Sequence, residues 1–117
     1  MLFELQRPTD DCAVVLLAVH ELDTINTDQL ESELAKVMGG EGQRNLVIGF
    51  EQVKFLASTA LGALINIHKV VESRGGQLRL AGMSPEIYSV FDVTRLTKLF
   101  SIYPSLDEAM QSLTPTV

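Results

Sequence analysis

The chain has 117 residues, 46% of them hydrophobic and 21% charged, the size and balance of one globular domain with a substantial core. Fifteen acids against nine bases leave a formal charge of −6, which argues against nucleic acid or an anionic membrane surface as partner. No apolar run approaches the ~18 residues needed to span a bilayer, and "MLFELQRPTDD" has acids where an export signal has a basic start, so a cytoplasmic protein is expected.

In chain order, "LFELQ" (2–6) reads as a short strand and "PTDD" (8–11) as a turn into a second strand over 12–19. Asp23 is placed to N-cap a helix over "DTINTDQLESELAKVM", with Ile25, Leu30, Leu34 and Val37 near one face and "GGEG" (39–42) ending it. "NLVIGF" (45–50) is a continuous apolar run, as in a central strand covered on both faces, and "VKFL" (53–56) continues or extends it. A helix is predicted from Ser58 to Arg74, closed by Gly75 and Gly76. "QLRLAG" (77–82) alternates as a half-buried strand does. Ser84 followed by Pro85 starts a third helix, "SPEIYSVFDV". "KLFSIYP" (98–104) supplies the last strand, and Ser105 caps the last helix, "SLDEAMQSL". Strands alternating with helices imply an α/β domain: a mostly parallel sheet of four or five strands with about four helices, in one unit over 1–117.

Few residues offer chemistry. Cys12, the single cysteine, sits in "CAVVLLAV" and reads as a buried, inert thiol. His20 and His68 have no Cys/His cluster around them, so no metal site is expected. His68 lies on the stripe Leu61, Leu64, Ile65, Val71 and reads as a packed residue with one hydrogen bond. "GGEG" lacks the G-K-[ST] ending of a nucleotide loop and follows a helix instead of preceding one. The pairs Asp10–Asp11 and Glu31/Glu33 read as solvated charge.

That leaves Ser58 and Thr59, where an apolar run hands over to a helix. A hydrolase serine on such a turn sits in G-x-S-x-G, but here the context is Leu56-Ala57-Ser58-Thr59-Ala60, without the glycines. As an N-cap, Ser58 would accept a backbone N–H of the first turn. The same helix start would also tolerate an added phosphate, through its free N–H groups and dipole. Ala60, Ala63, Ile67 and Val70 make the far side of this helix apolar too, so it is either buried widely or meets a partner.

Six segments together resemble the STAS domain family, in particular the anti-sigma factor antagonists of bacterial partner-switching pathways. "HELD" (20–23) is similar to the family's "GELD", and "FLASTALGALI" (55–65) to its "F-[ILM]-D-S-[ST]-G-L-G" phosphorylation segment. "GGQL", "SPEI" and "TRLTKLF" are similar to its "GG-x-L", "SP-x-[IV]" and "T-G-L-x-x-L-F", and "SLDEA" to "[SD]-x-x-E-A", in the same order.

The resemblance implies a binding protein with no catalytic residue, metal or cofactor of its own. An anti-sigma factor that is also a serine-protein kinase would phosphorylate Ser58, with Thr59 as competing acceptor, and a phosphatase would reset it. The unmodified form would sequester the anti-sigma factor. It also implies a partner surface of Asp23, Ser58, Thr59, Leu61, Gly62, Thr94, Arg95 and Leu96; a homodimer stays open. Ala57, Ala60 and Arg95 depart from the family's acid and two glycines. The alternative is a STAS subunit that is not phosphorylated and that stabilises a lipid-transporter ATPase or joins a stressosome-like scaffold.

Overall fold

The computed structural model describes residues 2–40 and 42–113. Its elements are β1 (Phe3–Thr9), β2 (Cys12–Leu17), β3 (Glu21–Leu22), α1 (Thr24–Met38), β4 (Asn45–Gly49), β5 (Phe55–Leu56), α2 (Ser58–Ser73), β6 (Leu78–Ala81), α3 (Pro85–Val93), β7 (Ser101–Tyr103) and α4 (Leu106–Gln111), with a 3-10 turn at Leu96–Lys98. Five strands form one sheet in the order β1-β2-β4-β6-β7. β1 is antiparallel to β2, and the remaining neighbours are parallel. The mostly parallel sheet with four helices is the architecture that the alternation of patterns predicts.

Side-chain alternation divides the core between the two faces of the sheet. Ala13, Val15 and Leu17 of β2, Leu46 and Ile48 of β4, and Leu78 and Leu80 of β6 point to the side covered by α1, α2 and α3. Cys12, Val14, Val47 and Ala81 point the other way, onto Ala109, Leu106 and Met110 of α4. Arg79 lies between Leu78 and Leu80 on β6, and its Nε donates to the Ser112 hydroxyl at 2.8 Å, tying the end of α4 to β6. β4 is buried along its whole length, as its unbroken apolar run requires. On the thick side, edge-to-face rings link Phe50 to Phe91 at 6.3 Å and Phe91 to Phe100 at 5.8 Å.

Several boundaries differ from the sequence reading. β1 continues through Pro8 to Thr9, with an irregular register between Gln6 and Thr9; proline is tolerated because this is an edge strand. β2 ends at Leu17, two residues early. "VKFL" does not extend β4: its last two residues leave the main sheet and pair with β3 as a separate two-stranded sheet. "KLFSIYP" is a strand only over Ser101–Tyr103, because Lys98 closes the 3-10 turn. Ile25 is 84% exposed and does not join Leu30, Leu34 and Val37 in the core. At about 100° per residue it lies roughly opposite Leu34 on the helix. Glu41, within "GGEG", lies outside the described residues, as do 114–117.

The breadth of the apolar surface on α2 has a plain cause. Ala60, Ala63, Leu64, Ile67 and Val71 are buried, and Leu61, Ile65 and His68 are half-buried. Leu30, Leu34, Ala60, Ala63 and Ile67 enclose one small cavity, so α1 covers the side that could have met a partner. Only Val70 of that side stays exposed. The far side of α2 is therefore interior.

Two adjacent glycines close α2 for different reasons. Gly75 takes φ +74°, the left-handed stop expected after a helix. At Gly76 a Cβ would collide with the carbonyl group of Arg44, because the chain passes hard against the entry to β4. Gly76→Ala should therefore cost more than Gly75→Ala, at about 2–3 kcal/mol against about 1 kcal/mol. Urea melts of the two variants measure the order.

Candidate functional site

The two shortest strands build the site. β3 and β5 pair in parallel, with Glu21 opposite Phe55 and Leu22 opposite Leu56. The His20 carbonyl accepts the N–H groups of Lys54 and Phe55 at 2.6 and 3.0 Å, and the Leu22 carbonyl accepts that of Ala57 at 2.9 Å. Each strand runs almost directly into a helix, so α1 and α2 begin side by side. Both turn their first-turn N–H groups toward one end of the sheet. The Thr59 hydroxyl lies 3.4 Å from that of Thr24, a weak tie between the two starts.

The two starts are capped differently. Asp23 caps α1 as expected, its Oδ1 accepting the Asn26 N–H at 2.9 Å. At α2 the capping position is Ala57, with extended backbone (φ −72°, ψ 155°) and no side chain to accept a hydrogen bond. Ser58 is thus not the N-cap that its position before an apolar helix suggests. It is the first helical residue, one step too late for its oxygen to serve the first-turn N–H groups. Its side chain is exposed and makes no hydrogen bond within the described chain. A free hydroxyl on an exposed helix start is open to an enzyme that would modify it.

Two large apolar side chains are exposed on the segments that form these helix starts, among the exposed Glu21, Asp23 and Lys54. Ile25, in the first turn of α1, is 84% exposed, and Phe55, three residues before Ser58, is 54% exposed. Thr59 and Gly62 are exposed beside them, and Leu61 is half-buried against the core. The sequence reading passed over Phe55 and assigned Ile25 to the core. The available signal was the helical angle of Ile25 and the alternation Phe55 out, Leu56 in.

Thr94, Arg95 and Leu96 lie elsewhere. They follow α3, at the end of the sheet where β7 begins, whereas Ser58 is at the end where the parallel strands finish. The Thr94 hydroxyl donates to the Val90 carbonyl at 2.7 Å, Arg95 is exposed with φ +65°, and Leu96 is half-buried. Among the described residues no hydrogen bond or ion pair joins this trio to Asp23, Ser58, Thr59, Leu61 or Gly62. Eight residues named from sequence thus separate into a group of five and a group of three.

The remaining candidates are structural. Burial, and secondarily the Asp11 carboxylate, push the Cys12 thiol up to about 11, so it stays protonated and unreactive near neutral pH. His68 packs edge-on against Phe100, with ring centroids 5.6 Å apart, and its Nε2 lies 3.0 Å from Glu72. Among the described residues no group of three His, Cys, Asp or Glu side chains could hold a metal ion, and no helix is long and apolar enough to cross a membrane.

A family model for the STAS domain matches residues 4–109. The chain belongs to the STAS domain family. It is 28% identical over 91 residues to the anti-sigma-B factor antagonist of Bacillus subtilis, covering 78% of this chain and 82% of that one. An anti-sigma factor antagonist from Mycobacterium paratuberculosis superposes with a TM-score of 0.82 at 25% identity, covering 95% of this chain and 92% of that one. The antagonist SpoIIAA in its unphosphorylated form superposes at 0.80 with 22% identity, covering 93% of each chain. These relatives are named for regulatory binding and not for an enzymatic activity. In this STAS chain Arg95 stands where the motif T-G-L has glycine, and its left-handed backbone is the conformation glycine adopts freely.

The uncapped start of α2 and the strained Arg95 give two expected outcomes. Ala57→Asp should raise stability by about 0.5–2 kcal/mol by supplying the missing cap, whereas Ser58→Ala should change it by less than about 0.5 kcal/mol. Arg95→Gly should stabilise by about 0.5–1 kcal/mol, as relief of the left-handed side chain outweighs the added freedom of the unfolded chain. Thermal unfolding of the three variants measures all of these.

Proposed function

We propose that this STAS domain is an anti-sigma factor antagonist, whose unmodified form binds an anti-sigma factor through the surface around Ser58 and whose phosphorylated form lets it go. The observation that carries the reading is the free, exposed Ser58 hydroxyl at the start of α2, with Phe55 exposed three residues before it. The names of the relatives agree with it. Exposed large apolar side chains near a polar centre are what a protein interface uses as anchors.

The phosphoryl group would come from ATP held by the partner, acting as a serine-protein kinase. The Ser58 oxygen forms a bond to the γ-phosphorus, the bond to ADP breaks, and the hydroxyl proton leaves to a base on the kinase. The product adds about −1.5 to −2 charges at neutral pH to a chain already at −6. No side chain caps the start of α2, whose dipole accommodates that charge without refolding. A partner pressed against Ile25 and Phe55 would have to desolvate a dianion, which is unfavourable without a waiting base. A phosphatase restores the hydroxyl. Thr59, engaged with Thr24, is the secondary acceptor.

Asp23, Ser58, Thr59, Leu61 and Gly62 form the main contact in this reading. Thr94, Arg95 and Leu96 serve as a second contact of the same partner, which must then span the length of α3. The domain acts as one unit in the cytoplasm. Self-association is not required by this mechanism.

Two measurements test it. Incubation with the cognate kinase and ATP, followed by mass spectrometry, should place the phosphate on Ser58, with partner affinity falling at least about tenfold, roughly 1.4 kcal/mol. Absence of phosphate, with binding retained, would instead favour a STAS subunit that only binds, such as one that stabilises a transporter ATPase; Ala57 in place of an acid beside the acceptor is the observation on that side. Separately, Ile25→Ser and Phe55→Ser should each weaken partner binding by about 1–2 kcal/mol with the melting temperature unchanged. Arg95→Glu should weaken it less, and unchanged affinity for Arg95→Glu would remove the second contact.

A further inference from the structure

A groove opens between the first turns of α3 and the last residues of β7. Met83, Pro85, Tyr88, Ile102, Tyr103 and Pro104 line about 390 Å³. Tyr88 is 43% exposed, and Pro85 and Pro104 are exposed too. Neither tyrosine hydroxyl makes a hydrogen bond within the described chain, so both O–H groups remain available as donors.

The charged residues next to the lining segments are of one sign. Glu86 follows Pro85, and Asp107 lies in the first turn of α4, three residues after Pro104. The Glu51 carboxylate rests against Gly82, next to Met83, where a Cβ would collide with it. All three acids are exposed, and none forms an ion pair among the described residues. No lysine, arginine or histidine occurs within three residues of any lining residue.

We propose that this groove docks a proline-rich segment of a partner protein in the polyproline II conformation, flanked by arginine or lysine. Proline rings fit between tyrosine and proline side chains. A polyproline II backbone leaves its carbonyls unbonded, which are the acceptors that two free phenol donors require. The flanking cation answers Glu51, Glu86 and Asp107. A second copy of this chain is a poor occupant, because a two-fold contact would set the same three acids against themselves. The chain has four prolines, each isolated in sequence, so it supplies no such segment itself.

The test uses the full chain, ¹⁵N-labelled, titrated with the synthetic peptide acetyl-Arg-Pro-Leu-Pro-Pro-Leu-Pro-amide and with a twin carrying Glu in place of Arg. Saturable shifts should concentrate in 83–88 and 101–105, and the Glu twin should bind at least about tenfold more weakly. Tyr88→Ala and Glu86→Lys should each weaken the Arg peptide at least about tenfold, whereas Ser58→Asp should leave it unchanged. Both substituted side chains are exposed, and thermal melts check that the variants fold. Absence of shifts at millimolar peptide, equal binding of the Glu twin, or shifts centred outside the groove would each overturn the proposal. Loss of self-association in Tyr88→Ala, measured by sedimentation, would overturn it in favour of a contact between copies.

Discussion

The pairing of Glu21–Leu22 with Phe55–Leu56 is the interaction on which the site depends. It is only two residues long on each strand, yet it fixes where two helices begin. A slip of one residue would exchange Phe55 for Leu56, burying the first and exposing the second. Leu22 and Leu56 are both in the core, which specifies the register, and Phe55 must then face outward. The surface character of the Ser58 region is therefore a by-product of what the core demands of its neighbours. Packing and the candidate site meet at adjacent residues of one short strand.

The main sheet supplies the rigid background. β4 is buried throughout, and α2 crosses the full depth of the sheet, from the end where the strands finish to the close passage of Gly76 beside Arg44. A helix held at its far end by a backbone contact, and along its length by α1 and the sheet, has little freedom at its start. A phosphate on such a start changes charge and not shape, which suits a signal read by a partner through direct contact. The Phe50–Phe91–Phe100 rings play the same part for α3, holding it against the sheet and so fixing the groove that its first turns form.

Much of this was readable from local chemistry. Asp23, Ser84 and Ser105 each stand one residue before a helix, with side chains that accept a first-turn N–H, and the sequence announces all three caps. Helix and strand order followed from periodicity. Misreadings arose where a local pattern met a tertiary decision. Ser58 looks like the other capping residues, but β5 pairs up to Leu56 and leaves Ala57 as the only residue extended before the helix. The apolar far side of α2 left burial and partner contact both open in the sequence, because its cover, α1, lies more than twenty residues earlier in the chain. Ser58 itself stood out at the handover from apolar run to helix, where family resemblance added the expected phosphate, and the exposure of Ile25 and Phe55 needed the fold.

The uneven covering of the sheet has one more consequence. Three helices shield one face, while the other is shielded by the six residues of α4, with Arg79 reaching to Ser112 at its end. Helices this short have little stability of their own, so α4 is the natural first unit to detach under stress, ahead of global unfolding. Directly beneath it lies Cys12. The lone thiol is thereby wired to the thin face: its rate of alkylation becomes a clock for the opening of α4, and a way to follow motion of the last helix without adding any label to the chain.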